Sequence, residues 1–155
     1  MSALLSPEII ALLEDRQTLK VLATVDGDGA PHAVVKGSLR ANAENNLQLL
    51  ELIETSQSNR NLLRGLWFDQ QVAVLIKGQE GRSFQIKGVP VKAHVSGPIF
   101  QQHYTEVRAR LGDVDLAAVW IIRPDVVVDE TPGVRVKEEQ AAHPNFIHLD
   151  RLVSA

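Results

Sequence analysis

Three short stretches in the first third of the chain are rich in apolar residues and are separated by turn signals, a pattern typical of β-strands. The stretches are residues 19–25, 32–39 and 47–53. Asp26–Gly29 offers two glycines for a tight turn between the first two stretches, and Asn42–Asn46 supplies a second turn. No crossover helix fits between these strands. The pattern therefore predicts antiparallel hairpins and disfavours a parallel α/β fold.

Helical patterns precede and follow these strands. Ser6–Glu8 combines a capping hydroxyl, a proline suited to the first helical position and an acidic residue in the first turn. It predicts a helix that ends near Arg16. A short helix is predicted from residue 58 or 59 to about residue 66, and a longer one begins at Gly97-Pro98.

The rest of the chain contributes further strands. They are predicted at residues 71–77, 82–95, 117–123 and 126–129. Gly88 and Pro90 indicate a bulge or an edge in the second of these, and Pro124-Asp125 separates the last two. The sequence after Gly133 turns polar and predicts no defined element. The order of elements favours an α+β, mainly β fold, a six- or seven-stranded antiparallel barrel with peripheral helices.

Composition narrows the function classes. The 155 residues are 45% hydrophobic and 23% charged, with a net charge of −3, which is an ordinary globular balance. The 16 lysines and arginines are scattered, and only 5% of residues are aromatic, which argues against a nucleic-acid surface or an oligonucleotide-binding barrel. The absence of cysteine excludes thiolate chemistry. An acidic, amphipathic start and no long apolar run predict a cytoplasmic protein without a membrane partner.

Two features are candidates for ligand chemistry. The polar run Glu54–Asn61 lies where a helix should begin, and unpaired N–H groups at a helix start favour an anion such as phosphate. Alternatively, Ser58 is simply an N-cap. Lys36 interrupts an apolar strand, and Gly37 after it would allow close approach of a planar ligand. Lys36, like Lys87 before Gly88, could equally be a solvent-facing lysine.

Other kinds of active site find little support. The chain has no G-x-S-x-G motif, P-loop or dinucleotide fingerprint, so no catalytic residue can be named. The histidines show no metal-ligand spacing, and we expect no metal site. They are His32, His94, His103, His143 and His148. We expect Trp67, Phe68 and Trp120 to pack in the core or in a dimer contact rather than to stack on a ligand ring.

Six segments of the chain follow one another in a particular order. They are LATVDGDGAPHAVVKG, SQSNRNL, QVAVLIKG, FQIKGVPVKAH, SGPIFQQHY and AAVWII, at residues 22–37, 56–62, 71–78, 84–94, 96–104 and 117–122. In this order they resemble the pyridoxamine 5′-phosphate oxidase-like family of FMN-binding split β-barrels. The resemblance implies one FMN-binding domain over residues 1–155, with a barrel at about 19–130 and a C-terminal extension at 131–155.

The resemblance also implies a homodimer with FMN in grooves at the subunit interface, and a flavin-dependent oxidoreductase or electron-transfer function. The phosphate site then falls on Ser56, Gln57, Ser58, Arg60 and Asn61. The ring-binding strand falls on Val35, Lys36, Gly37 and Ser38. Many members have a basic pair where this chain has Gln57-Ser58, so Lys36 or Lys87 could supply the counter-charge.

Several alternatives stay open beside this reading. A true pyridoxamine 5′-phosphate oxidase is not expected, because no basic set for a substrate phosphate is present. A relative that uses deazaflavin or haem is possible on the same fold, haem requiring one of the histidines as an axial ligand. The third alternative is a non-catalytic ligand-binding module. The redox partner is not identified by the sequence.

Overall fold

The structure is a computed structural model, which describes residues 5–144. Residues 145–155 of the predicted C-terminal extension, with His148, lie outside the described residues.

Four helices and seven strands occur in the described residues. The helices are α1 (Pro7–Glu14), α2 (Gln57–Phe68), α3 (Gly97–Leu111) and α4 (Pro132–Ala142). The strands are β1 (Leu19–Val25), β2 (Pro31–Val35), β3 (Arg40–Ala41), β4 (Leu47–Glu51), β5 (Val72–Lys77), β6 (Ser83–His94) and β7 (Ala118–Asp129). Within residues 5–144 they form one curled antiparallel sheet in the order β2-β1-β5-β6-β7-β4-β3. The predicted mainly β, α+β split barrel is confirmed.

The strand order places β2 and β3 at opposite edges of the sheet, although they are consecutive in the chain. Residues 36–39 pass from one edge to the other, and we call this segment the linker. The prediction of a single strand over residues 32–39 is therefore wrong in its second half. The strand ends at Val35, and the Leu39 N–H donates to the Lys36 carbonyl in a turn. The two residues of β3 then pair with β4.

The first elements follow the sequence pattern closely. The Ser6 hydroxyl caps α1 by accepting a hydrogen bond from the Ile9 N–H, and a proline occupies the first turn. The helix ends at Glu14, earlier than the predicted Arg16. The bounds of β1 agree with the predicted strand.

A bulge shapes the two long strands. The pairing register of β6 and β7 shifts at Gly88, where an added Cβ would lie 2.3 Å from the Arg123 carbonyl oxygen. The predicted bulge is confirmed. The predicted break at Pro124-Asp125 is wrong, because β7 is continuous. Pro124 lies opposite Gly88 at the register shift, where a strand tolerates a residue without an N–H group.

Two helices differ from the predictions. Ser56, rather than Ser58, caps α2, which begins at Gln57 and continues to Phe68. The polar segment after Gly133 forms most of α4, which the sequence pattern did not predict. Proline at the first position of α4 is the signal that could have identified it.

The core fills the curled sheet and is covered by α1 and α2. Its fully buried side chains include Leu22, Leu47, Leu49, Val74, Ile76, Ile86, Trp120 and Ile122 from strands, with Ile9, Leu13 and Leu62 from helices. None of the helices in residues 5–144 combines the length and apolarity needed to cross a membrane. The packed interior leaves the linker and the start of α2 at its surface.

Candidate functional site

A groove of about 310 Å³ lies beside the linker. One wall is Val35–Ser38, the other is Leu50–Ile53, and Arg110 from the last turn of α3 completes the lining. We call it the linker groove. A Cβ built on Gly37 would meet no heavy atom within 4 Å, so the backbone there faces open space. The four residues predicted to lie along a ligand ring are therefore brought together on one wall.

An ion pair joins the two walls of the linker groove. The Lys36 Nζ lies 2.7 Å from a Glu51 carboxylate oxygen, and the exposed fractions of the two side chains are 14% and 2%. The other Glu51 oxygen accepts a hydrogen bond from the Ile53 N–H at 3.2 Å. Lys36 is therefore not a solvent-facing lysine, and its positive charge is already compensated by a buried carboxylate.

Two further side chains fix the linker. The Ser38 hydroxyl accepts from the Leu50 N–H at 3.0 Å and donates to the Leu50 carbonyl at 3.3 Å. The buried Lys20 ammonium donates to the Leu13 carbonyl and lies 3.5 Å from the Gly37 carbonyl oxygen. Burial lowers the pKa of Lys20 below its ordinary value. The wall that carries Gly37 is thus tied to β4, β1 and α1.

A second groove, of about 400 Å³, lies at the N-terminus of α2, and we call it the helix groove. Its lining consists of Glu54, Thr55, Asn59, Arg60, Leu63, Ala93, Val95, Ala117, Ala118 and Trp120. Ile53 lines the linker groove and the next residue, Glu54, lines the helix groove, so the two adjoin along the chain. Both volumes fall within the roughly 300–1,000 Å³ of small-molecule sites.

Hydrogen bonds through Asn59 hold the start of α2 in place. Its N–H donates to the Ser56 hydroxyl at 3.0 Å, and its side-chain amide donates to the Glu54 carbonyl at 2.8 Å. The buried Trp120 indole N–H donates to the Asn59 amide oxygen at 2.9 Å. Trp120 is therefore a core residue, as expected, and it also positions the loop before the helix. The first N–H groups of α2 have no intrahelical acceptor and give this end partial positive charge.

The residues predicted for phosphate binding do not all face the helix groove. Arg60 lines it, is exposed, and donates to the Gln57 side-chain oxygen at 2.9 Å. Gln57 in turn donates to the Asn61 amide oxygen at 2.8 Å. Asn61 is buried and donates to the Thr24 hydroxyl at 2.9 Å, and Ser58 is buried as well. Arg60 is thus the groove-facing member of the set.

The sequence did not single out two charged groups of the linker groove. Glu51 belongs to a strand whose other residues are mostly apolar, and nothing in its spacing predicts the pairing with Lys36. Arg110 looks like a solvated residue of an amphipathic helix, and only the tertiary fold brings it to the linker. Lys87, the alternative counter-charge, is exposed and does not belong to the lining of either groove.

Two histidines line a third groove of about 520 Å³, formed by α3, β6 and the turn before β4. The His103 ring nitrogen Nε2 lies 3.2 Å from the Gln48 side-chain nitrogen. Burial, with Lys92 and His103 nearby, lowers the pKa of His94 below its ordinary value. No cluster of three potential metal-ligating His, Cys, Asp or Glu side chains occurs among residues 5–144.

Two aromatic side chains remain exposed on α2. Trp67 and Phe68 have exposed fractions of 77% and 68%, so the core position considered for them is wrong. The Arg64 guanidinium lies over the Phe68 ring, 5.0 Å from its centroid. A dimer contact of these two aromatic residues stays a prediction.

Comparison with known proteins gives structural neighbours alone. No protein-family model and no curated protein matches the chain. The chain superposes on HupZ from Group A Streptococcus with a TM-score of 0.68 and 18% identity, covering 83% of this chain and 96% of that one. It superposes on a proposed pyridoxamine 5′-phosphate oxidase from Lactobacillus delbrueckii with a TM-score of 0.60 and 23% identity, covering 83% of this chain and 99% of that one. With an FMN-binding protein from Syntrophomonas wolfei the TM-score is 0.62 and the identity 9%, and the match covers 78% of this chain and 82% of that one.

The same fold occurs in an F420 reductase and in HutZ, the heme storage protein from Vibrio cholerae, with TM-scores of 0.56 and 0.57. The sequence identity to each is 19%. Similarity at these identities shows a common fold and does not show a common ligand.

Proposed function

We propose that this chain, which has the pyridoxamine 5′-phosphate oxidase-like split-barrel fold, is an FMN-binding homodimer that acts as a flavin-dependent oxidoreductase or electron-transfer protein. The observation that carries the proposal is the open linker groove beside Gly37, whose lining is followed directly along the chain by that of the helix groove at the N-terminus of α2. One groove offers room for a planar ring, and the other offers a guanidinium beside a helix N-terminus for a phosphate.

The donor set of the helix groove fits a phosphate. Arg60 supplies a guanidinium at the groove, and the partial positive charge at the N-terminus of α2 favours an anion there. The Thr55 side chain adds a hydroxyl to the lining. The buried Ser58 and Asn61 side chains would serve this site by shaping the helix start. Glu54, also in the lining, opposes an anion and makes Arg60 the more important.

The walls of the linker groove fit a flat ring. Gly37 leaves its face of the wall open, and Val35 and Ile53 present exposed apolar side chains to the groove. FMN, when bound, supplies the hydride or electron exchange. The protein orients the ring and sets the charge around it.

Exposed apolar residues support the proposed homodimer. Val35, Ile53, Val95, Trp67 and Phe68 are each exposed by 61% or more. Val35 and Ile53 line the linker groove, and Val95 lines the helix groove. A second copy packed over these residues would bury them and would close both grooves from solvent.

A flavin titration tests the proposal. The purified protein is titrated with FMN and with riboflavin, which lacks the phosphate, while flavin fluorescence is recorded and sedimentation gives the mass. We expect a dimer that binds FMN more tightly than riboflavin. Arg60→Ala should weaken FMN binding roughly 10- to 100-fold, because a hydrogen bond to a charged group contributes about 1.5–3 kcal/mol. The affinity for riboflavin should stay unchanged. Arg64→Ala, one turn further along α2, is the matched control.

Haem is a second candidate, favoured by the two histidines in the 520 Å³ groove. A haem protein would show a Soret band after reconstitution, and replacing His94 or His103 would change it. Deazaflavin would compete for the same grooves as FMN and has its own absorbance spectrum. A folded dimer that binds none of these cofactors would instead be a non-catalytic ligand-binding module.

A further inference from the structure

Arg110 is the one charged side chain of the linker groove, among the described residues, that has no charged partner. The charged groups of the lining are Lys36, Glu51 and Arg110. Lys36 and Glu51 form the ion pair described above. Arg110 forms no ion pair within residues 5–144, whereas Arg108 on the same helix pairs with Asp113 at 3.2 Å.

Lys36 cannot turn to a ligand without a large cost. Its carboxylate partner is 2% exposed, so removing the ammonium group would leave a buried, uncompensated charge. The pair therefore acts as a neutral unit of the wall. The net positive charge of the linker groove then comes from Arg110.

The two grooves place their cations at different parts of a ligand. Arg60 lines the helix groove together with the N-terminus of α2, and Arg110 lines the linker groove. If the phosphate lies at α2, as proposed above, the reducible ring lies in the groove of Arg110. In that arrangement Arg110 lines the ring site and does not line the phosphate site.

We propose that Arg110 is the cation that faces the reducible ring in the linker groove and that it strengthens binding of the reduced ring relative to the oxidised ring. This inference rests on the proposed function. Two electrons and one proton added to the neutral oxidised ring leave one negative charge on it. A fixed guanidinium beside the groove favours that charged form, since a protein tunes a bound cofactor through nearby charge.

The midpoint potential of the bound flavin tests the proposal. Wild type and Arg110→Gln are loaded with FMN and titrated in a spectroelectrochemical cell. We expect the variant to bind the reduced form about tenfold more weakly relative to the oxidised form, a potential lower by about 30 mV for a two-electron couple. Arg110→Lys, which keeps the charge, should have a midpoint potential close to that of wild type. Arg108→Gln, on the same helix but outside the groove lining, should leave the potential unchanged.

Binding measurements separate the ring from the phosphate. If Arg110 faces the ring, Arg110→Gln should change the affinities for oxidised FMN and riboflavin by the same factor. A loss confined to FMN would overturn the proposal, because Arg110 would then contact the phosphate. An unchanged potential in the FMN-loaded variant would overturn it as well. A wild-type protein that binds neither flavin would refute the proposed function itself, which is a distinct result.

Discussion

The Lys36 ammonium group lies 2.7 Å from the carboxylate of Glu51, and the carboxylate is the more deeply buried partner, with 2% of its side chain exposed against 14% for the lysine. The pair joins the linker to the end of β4 at the place where the sheet is not closed by strand pairing. This asymmetry of burial leads to the first prediction. If the pair is broken, water can reach the Lys36 ammonium group more easily than the Glu51 carboxylate.

Lys36→Met should destabilise the protein by about 3 kcal/mol, since it leaves the Glu51 carboxylate buried and unpaired. Glu51→Gln should cost less, because the partly exposed lysine can reach solvent and the new amide can still accept the Ile53 N–H. The double variant should recover most of the loss. Urea unfolding followed by circular dichroism gives the three free energies. Full stability of Lys36→Met alone would contradict the buried pair.

Trp120→Phe should lower the free energy of unfolding by about 1–3 kcal/mol, the cost of a buried acceptor left without its donor. The acceptor is the Asn59 amide oxygen at the start of α2. The same urea experiment measures this change. Trp67→Phe is the matched control, because Trp67 is 77% exposed, and it should leave stability unchanged. Equal stabilities of wild type and Trp120→Phe would show that the indole hydrogen bond contributes nothing.

Gly37→Leu should leave the fold intact and reduce FMN affinity by more than about tenfold, a loss of at least about 1.4 kcal/mol. The position has open space and lies outside the left-handed backbone region, so the side chain fits sterically but occupies the linker groove. Gly133→Leu in α4, also in open space, is the control that should bind FMN normally. Fluorescence titration decides the outcome, and normal binding by Gly37→Leu would place the ring elsewhere.

His94 should make the protein less stable in mild acid. Its pKa is lowered in the folded state by burial and by Lys92 and His103, so the unfolded chain binds the proton more tightly. The stabilisation is complete above the unfolded pKa of about 6.5 and is lost as pH falls through the lower folded pKa. Urea unfolding near neutrality and in mild acid should show a smaller pH difference for His94→Gln than for wild type. A pH difference in His94→Gln equal to that of wild type would refute this origin.

Much of the fold could be predicted from local patterns. The bounds of β1 and the cap of α1 follow from local sequence alone, because an apolar run before a turn signal and a capping hydroxyl act within a few residues. Pro124 shows the limit of this reasoning. A proline usually interrupts a strand, and only the pairing with Gly88 at the register shift explains why β7 continues through it.

The candidate site could be predicted less completely. The sequence identified Gly37 and Arg60, because each lies in a segment whose local chemistry is distinctive. It could not identify Arg110, which reaches the linker groove only through the packing of α3 against the sheet. It also left the orientation of Asn61 open, since a polar residue at a helix start can face solvent or, as here, a hydroxyl on β1.

The linker is fastened to β4 by side-chain bonds of Lys36 and Ser38 rather than by a continuous backbone ladder. Backbone hydrogen bonds between paired strands keep a fixed spacing whatever the side chains are. Side-chain contacts, in contrast, change in length and strength with each substitution. The width of the linker groove can consequently change through substitutions. One or two substitutions at Lys36, Ser38 or Glu51 would change the width of the linker groove, while the strand pairing of the sheet stays the same.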